Sequence, residues 1–138
     1  MYRTMLVAVD GSATGSKAFD AAVDLAREYG AELYVLTVAQ SLNVADDVET
    51  EAVVENSLEF HRKLLLPLKQ IALDKGVKAH FEAVAGHPAE QIVYHADRHK
   101  ADLVIVGNRG RSKIARLLLG SVSEYVVKYA DRPVMVVR

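Results

Sequence analysis

Short apolar runs alternate with helical periodicities along the chain, and a turn residue marks each change. Met5-Leu6-Val7-Ala8-Val9 is an unbroken apolar run closed by Asp10-Gly11, the pattern of a short buried strand. From Ser16 the spacing becomes helical: Ala18, Ala22, Leu25 and Ala26 share one face, and Gly30 stands where helices commonly end. Leu33 to Val38 is a second strand-like run, followed by a polar, irregular stretch from 39 to 48. A long helical pattern covers Glu49 to Lys75 and ends at Gly76. Pro67 lies inside it. Proline removes a backbone donor and crowds the preceding turn, so a kink or break is expected there. Val77 to Val84 reads as a third strand. Gly86-His87-Pro88 then starts a helix running to about Lys100, with proline suited to its first position. Leu103 to Val106, Ser121 to Tyr129 and Val134 to Val137 follow as strand, helix and strand.

This alternation predicts an α/β fold: an open parallel sheet of five strands with helices on both faces. The strands lack a clean apolar/polar alternation, which predicts burial on both sides. Ligands of such sheets sit beyond the carboxyl ends of the strands, where the strand order reverses. Attention therefore falls on two loops, DGSATGS after the first strand and GNRGRSKIARLLLGS after the fourth.

Composition narrows the classes. The 138 residues contain no internal repeat, low-complexity tract or linker, so one domain over 1–138 is expected. With 17 basic and 18 acidic residues the net charge is -1, which gives no overall attraction to nucleic acid or an anionic membrane. Cysteine is absent, which removes disulfides and thiol chemistry and suits a reducing cytoplasm. The first apolar run is too short for a signal-peptide core or a membrane span.

The loop after the fourth strand carries the candidate chemistry. A backbone can donate to a phosphate only if it approaches closely, and glycine permits that approach. Gly107 and Gly110 can form such a loop. Gly120 immediately precedes the fourth helix, whose first-turn N–H groups and partial positive charge favour an anion. Ser121 and Ser123 add hydroxyls. The blander reading is a tight turn followed by an N-cap, with Lys113 and Arg116 on a solvated face.

The spacing G-x2-G-x9-G followed by serine resembles the ATP-binding branch of the universal stress proteins. VAVDGS after the first strand, Gly86-x-Pro88-x-x-x-Ile92 and the ending GSVSEYVVKYADRPVMVVR extend the resemblance over essentially the whole chain. It implies strand order 3-2-1-4-5 and binding of ATP with Mg²⁺. The residues implied are Asp10 by the ribose and phosphates, with Ala8 and Val9 before it, and Val38 and Val106 at the adenine. Gly107, Gly110, Gly120, Ser121, Val122 and Ser123 wrap the ribose and phosphates. Arg109 stands where members often have histidine, and arginine is a competent phosphate partner. Mg²⁺ is expected on the phosphates, with Asp10 as its one candidate protein ligand. No catalytic residue is assigned. The resemblance also implies a regulatory or stress-response role and a homodimer through Val134 to Val137. The competing readings are a slow Mg²⁺-dependent ATP hydrolase and a nucleotide-free dimeric scaffold.

Other signals are discounted. DGSATGSK has three residues between Gly11 and Gly15, not the four of a Walker A loop, and Ser16 is expected to cap the first helix. No G-x-G-x-x-G or G-x-S-x-G occurs. His95 and His99, four apart, have metal-ligand spacing, but their charged neighbours Asp97, Arg98 and Lys100 predict a solvated helix face. Tyr125 and Tyr129 are expected to pack, and Glu49, Glu51 and Glu55 to face water.

Overall fold

A computed structural model describes residues 2–40, 48–108 and 120–138. The elements in order are β1 (Thr4–Ala8), α1 (Ala13–Tyr29), β2 (Glu32–Gln40), α2 (Val48–Asp74), β3 (Ala79–Gly86), α3 (Pro88–Arg98), β4 (Leu103–Gly107), α4 (Ser121–Tyr129) and β5 (Val134–Val137). The five strands form one parallel sheet in the order β3-β2-β1-β4-β5.

Successive strand residues point to opposite faces, so the unbroken apolar runs feed two cores. On one face, Phe19, Ala22 and Val23 of α1 and Leu65 and Ala72 of α2 cover Met5, Val7, Leu33, Val35 and Ile105. On the other, Ile92 and Ala96 of α3, Val126 of α4 and Ala130 at its C-cap cover Leu6, Leu36, Val104 and Val106. Each fully buried side chain of this size contributes roughly 1.5–3 kcal/mol. Double-sided burial holds for β1, β2 and β4. It fails at the two edges, where His80, Glu82 and Met135 are exposed.

Three local expectations are corrected. Ser12, not Ser16, caps α1: its hydroxyl accepts from the Gly15 N–H at 3.1 Å, and the Ser16 N–H donates to the Ser12 carbonyl. Helix α2 runs through Pro67 without a break. Pro67 is exposed, so water can reach the Lys63 carbonyl that lacks its usual donor. Along α3, His95 is only 6% exposed, although its sequence neighbours Asp97, Arg98 and Lys100 are solvated.

Two polar side chains fasten the ends of elements. The Asp102 carboxylate accepts from the backbone N–H groups of Arg3 at 2.8 Å and Thr4 at 3.0 Å, and these bonds hold it below the usual carboxylate range. It ties the start of β1 to the turn before β4. The Arg132 guanidinium donates to the carbonyls of Ala96 at 2.9 Å and Ala101 at 2.7 Å, and pairs with Asp97. It thereby joins the segment before β5 to the end of α3.

Candidate functional site

The sheet order reverses between β1 and β4, since the chain moves outward from β1 to β3 and then returns to the other side. Beyond the carboxyl ends of these two central strands, the loop after β1 and the chain around Asn108 and Gly120 come together. Pairing sets Val7 against both Val35 and Ile105. One step further on, Ala8 and Val106 are level, and they share a face with Val38 of β2 and Val122 of α4. All four pack on the core under α3 and α4. Val106 is buried, while Ala8, Val38 and Val122 keep partial access to solvent. Four of the apolar residues singled out in the sequence, Ala8, Val38, Val106 and Val122, are thus gathered on one face at one end of the sheet.

The turn after β1 is held by its own side chains. The Asp10 carboxylate accepts from the Ser12 N–H at 2.9 Å, and the Ser12 hydroxyl caps α1. A Cβ on Gly15 would lie 2.9 Å from the Asp10 carboxylate oxygen, so glycine lets that carboxylate lie over the helix start. Val9 continues the strand pairing with an N–H bond to the Leu36 carbonyl, and its side chain turns to the opposite core.

The turn after β4 is closed by Asn108. Its N–H donates to the Val137 carbonyl at 2.7 Å, which anchors it to β5. Its carbonyl accepts from the Gly120 N–H at 2.8 Å and from the Ser123 hydroxyl at 2.9 Å. Gly120 is thereby returned to the end of the strand that the chain left at Gly107. The Ser123 hydroxyl also contacts the Gly120 carbonyl, so this buried serine fastens the turn. Ser121, by contrast, is exposed.

The two helix starts at this end differ. In α1 a side chain caps the first turn. In α4 the N-cap is Gly120, and no side-chain cap bond is made among the described residues. The first-turn N–H groups of α4 therefore retain their capacity for an anion. Asn108 adds a buried side-chain oxygen, Oδ1, that has no hydrogen-bond partner among the described residues. Such an orphaned acceptor suits a ligand that brings a donor, such as a hydroxyl.

Comparison with known proteins decides the family. A profile of the Universal stress protein family matches residues 1–138. The chain belongs to the universal stress protein family. Universal stress protein YxiE of Bacillus subtilis is 38% identical over 148 residues, covering 100% of each chain. Among solved structures, universal stress protein UspA from Lactobacillus plantarum has a TM-score of 0.89 at 25% identity, covering 99% of this chain and 98% of that one. A universal stress protein in complex with cAMP has a TM-score of 0.78 at 30% identity, covering 99% of this chain and 97% of that one.

In this universal stress protein, Ala8, Val9, Asp10, Val38, Val106, Gly107, Gly120, Ser121, Val122 and Ser123 all lie at or beside the carboxyl end of the sheet. Arg109 and Gly110 fall outside the described residues. Sequence reasoning missed Asn108 and Thr14. Thr14 packs against the strand end: a Cβ on Gly107 would stand 2.9 Å from both the Thr14 carbonyl carbon and its hydroxyl oxygen. Gly107 is therefore required for the approach of α1 to β4, a constraint that spacing alone does not reveal.

Proposed function

We propose that this chain binds an adenine nucleotide, ATP with Mg²⁺, at the carboxyl end of β1 and β4, and that binding serves a regulatory role in the cytoplasm. The observation that carries the reading is the start of α4. It has glycine at its N-cap, no side-chain cap among the described residues, and a position fixed by Asn108 beside the end of β4. Phosphates belong at those N–H groups, with Gly107, Gly120, Ser121 and Ser123 beside them, and Arg109 and Gly110 are assigned to them by the spacing of the motif alone. The partly exposed face of Ala8, Val38 and Val122, floored by Val106, suits the base, and the Asn108 oxygen suits a ribose hydroxyl. Asp10 lies at the phosphate side, and Mg²⁺ would be held chiefly through phosphate oxygens. The related protein crystallised with cAMP supports the adenine-nucleotide class.

Melting experiments test this. A ligand that binds only the native state stabilises it by about 2.7 kcal/mol at a concentration 100 times its Kd. Saturating ATP with Mg²⁺ should therefore raise the melting temperature by several degrees, with AMP and cAMP run alongside to rank the phosphate requirement. Phosphate release should stay far below the ~10 s⁻¹ of an ordinary enzyme. An unchanged melting temperature with all three nucleotides would remove the proposal.

The same reading includes a homodimer through β5. Among the described residues this strand pairs with β4 alone and so ends the sheet, and Val134 to Val137 are apolar on both faces. An edge with unpaired N–H and C=O groups accepts another strand, and a two-fold axis satisfies both copies at once. Sedimentation equilibrium should give twice the 15.1 kDa of one chain. Val136→Pro removes a ladder donor and should shift the population towards monomer. A monomeric wild type at tens of micromolar would contradict the interface.

A further inference from the structure

A second polar cluster lies under the carboxyl end of α3, in the amino-terminal half of the sheet. It lines a cavity of about 170 Å³ bounded by β2, β3 and α3. Leu6 and Leu36 form its apolar floor, and Tyr34, His80, Glu82, His95 and His99 contribute its polar and aromatic lining. Glu82, His95 and His99 each offer one ligand atom, and the three atoms lie within 4.8 Å of one another. His95 Nδ1 and Glu82 Oε2 are 3.7 Å apart.

Two ring nitrogens of this cluster are costly as they stand. His95 Nδ1 and His99 Nε2 are both buried and lack a hydrogen-bond partner among the described residues. A buried polar atom without a partner costs about 1–3 kcal/mol, so native proteins rarely keep two side by side without a use for them. The His95 side chain is only 7% exposed. The His99 ring is stacked on Tyr34, with centroids 3.8 Å apart and planes 15° apart, while the His80 ring also stacks on Tyr34 at 4.7 Å. Tyr34 is in turn oriented by a hydrogen bond from its hydroxyl to Glu32 at 3.3 Å. The imidazole positions are thus set by packing, as a preformed ligand pair requires.

We propose that Glu82, His95 and His99 form a site for a divalent transition-metal ion, Zn²⁺ by preference, that joins edge strand β3 to the end of α3. Two imidazoles and one carboxylate are a donor set that zinc takes in tetrahedral sites, leaving a fourth position for water or another ligand. Bonds of about 2.1 Å place tetrahedral ligand atoms about 3.4 Å apart. The His95–Glu82 separation is close to that value, and the exposed Glu82 side chain has the freedom to close the remainder. The site shares no residue with the nucleotide site and stands whether or not a nucleotide binds.

The test uses the full chain, stripped with a chelator, dialysed, and titrated calorimetrically with Zn²⁺ at neutral pH. The expected result is one zinc per chain and a higher melting temperature when loaded. His95→Gln, His99→Gln and Glu82→Gln should each weaken zinc binding at least about 100-fold, the upper range for loss of an outer-shell partner. His61→Gln, a histidine away from the cavity, should leave it unchanged. Glu82 is exposed, so its variant should fold even if the buried His95→Gln does not. No zinc uptake by the wild type would overturn the site. So would wild-type affinity in any folded variant of the three, or loss of binding in His61→Gln.

Discussion

Gly107→Val should lower the melting temperature by about 10 °C or more, or prevent soluble folding. Strand β4 ends against the first turn of α1 at this residue. Even a methyl group there would lie 2.9 Å from the Thr14 carbonyl carbon and hydroxyl oxygen and 3.0 Å from its carbonyl oxygen. Two of those three nearest atoms are backbone, so relief requires moving α1 or the strand. Overpacking typically costs 1–3 kcal/mol and more when backbone must move. For a domain of this size each kcal/mol shifts the melting temperature by roughly 3–5 °C. Gly107→Ala should act in the same direction with smaller effect. A melting temperature unchanged in both variants would show that α1 does not approach β4 as described.

Gly120→Val should behave differently. Gly120 has φ -66° and ψ 161°, an extended conformation open to any residue, so the backbone is not strained by the change. The loss of an N-cap glycine costs the isolated fold up to about 1 kcal/mol. The branched side chain, however, would occupy the space in front of the α4 N–H groups, where a phosphate is proposed to sit. ATP affinity should fall at least ~100-fold, because a well-made set of charge-assisted bonds is worth several kcal/mol. Binding that survives in the folded variant would move the phosphate away from α4.

Most of the architecture was legible in the chain because its hydrophobic patterns change type at clear punctuation. Val9-Asp10-Gly11, Gly30 and Gly86-His87-Pro88 each mark a boundary within a few residues of an observed one. The failures have physical causes. Both Ser12 and Ser16 can cap a helix, and only the turn made by Asp10 settles that the earlier one does. Pro67 reads as a breaker, yet it lies on the exposed face of α2, where the carbonyl that loses its donor is open to solvent. His95 looked solvated because its sequence neighbours are charged, whereas a helix turns successive residues through about 100° and buries one while exposing the next. Asn108 carried no motif signal, since its part is played chiefly by its backbone. The His95 and His99 spacing was visible, but the third member of the proposed metal cluster was not: Glu82 comes from β3, and only the pairing of β2 with β3 and the packing of α3 bring it to the two histidines.

The central claim is that the carboxyl end of β1 and β4 receives an adenine nucleotide, and calorimetric titration of the unmodified chain with ATP and Mg²⁺ tests it most directly. The account predicts saturable binding of one nucleotide per chain, competed by AMP or cAMP if the base and ribose contribute. A folded protein that gives no binding heat with ATP up to millimolar concentration, and none with AMP or cAMP, would contradict it.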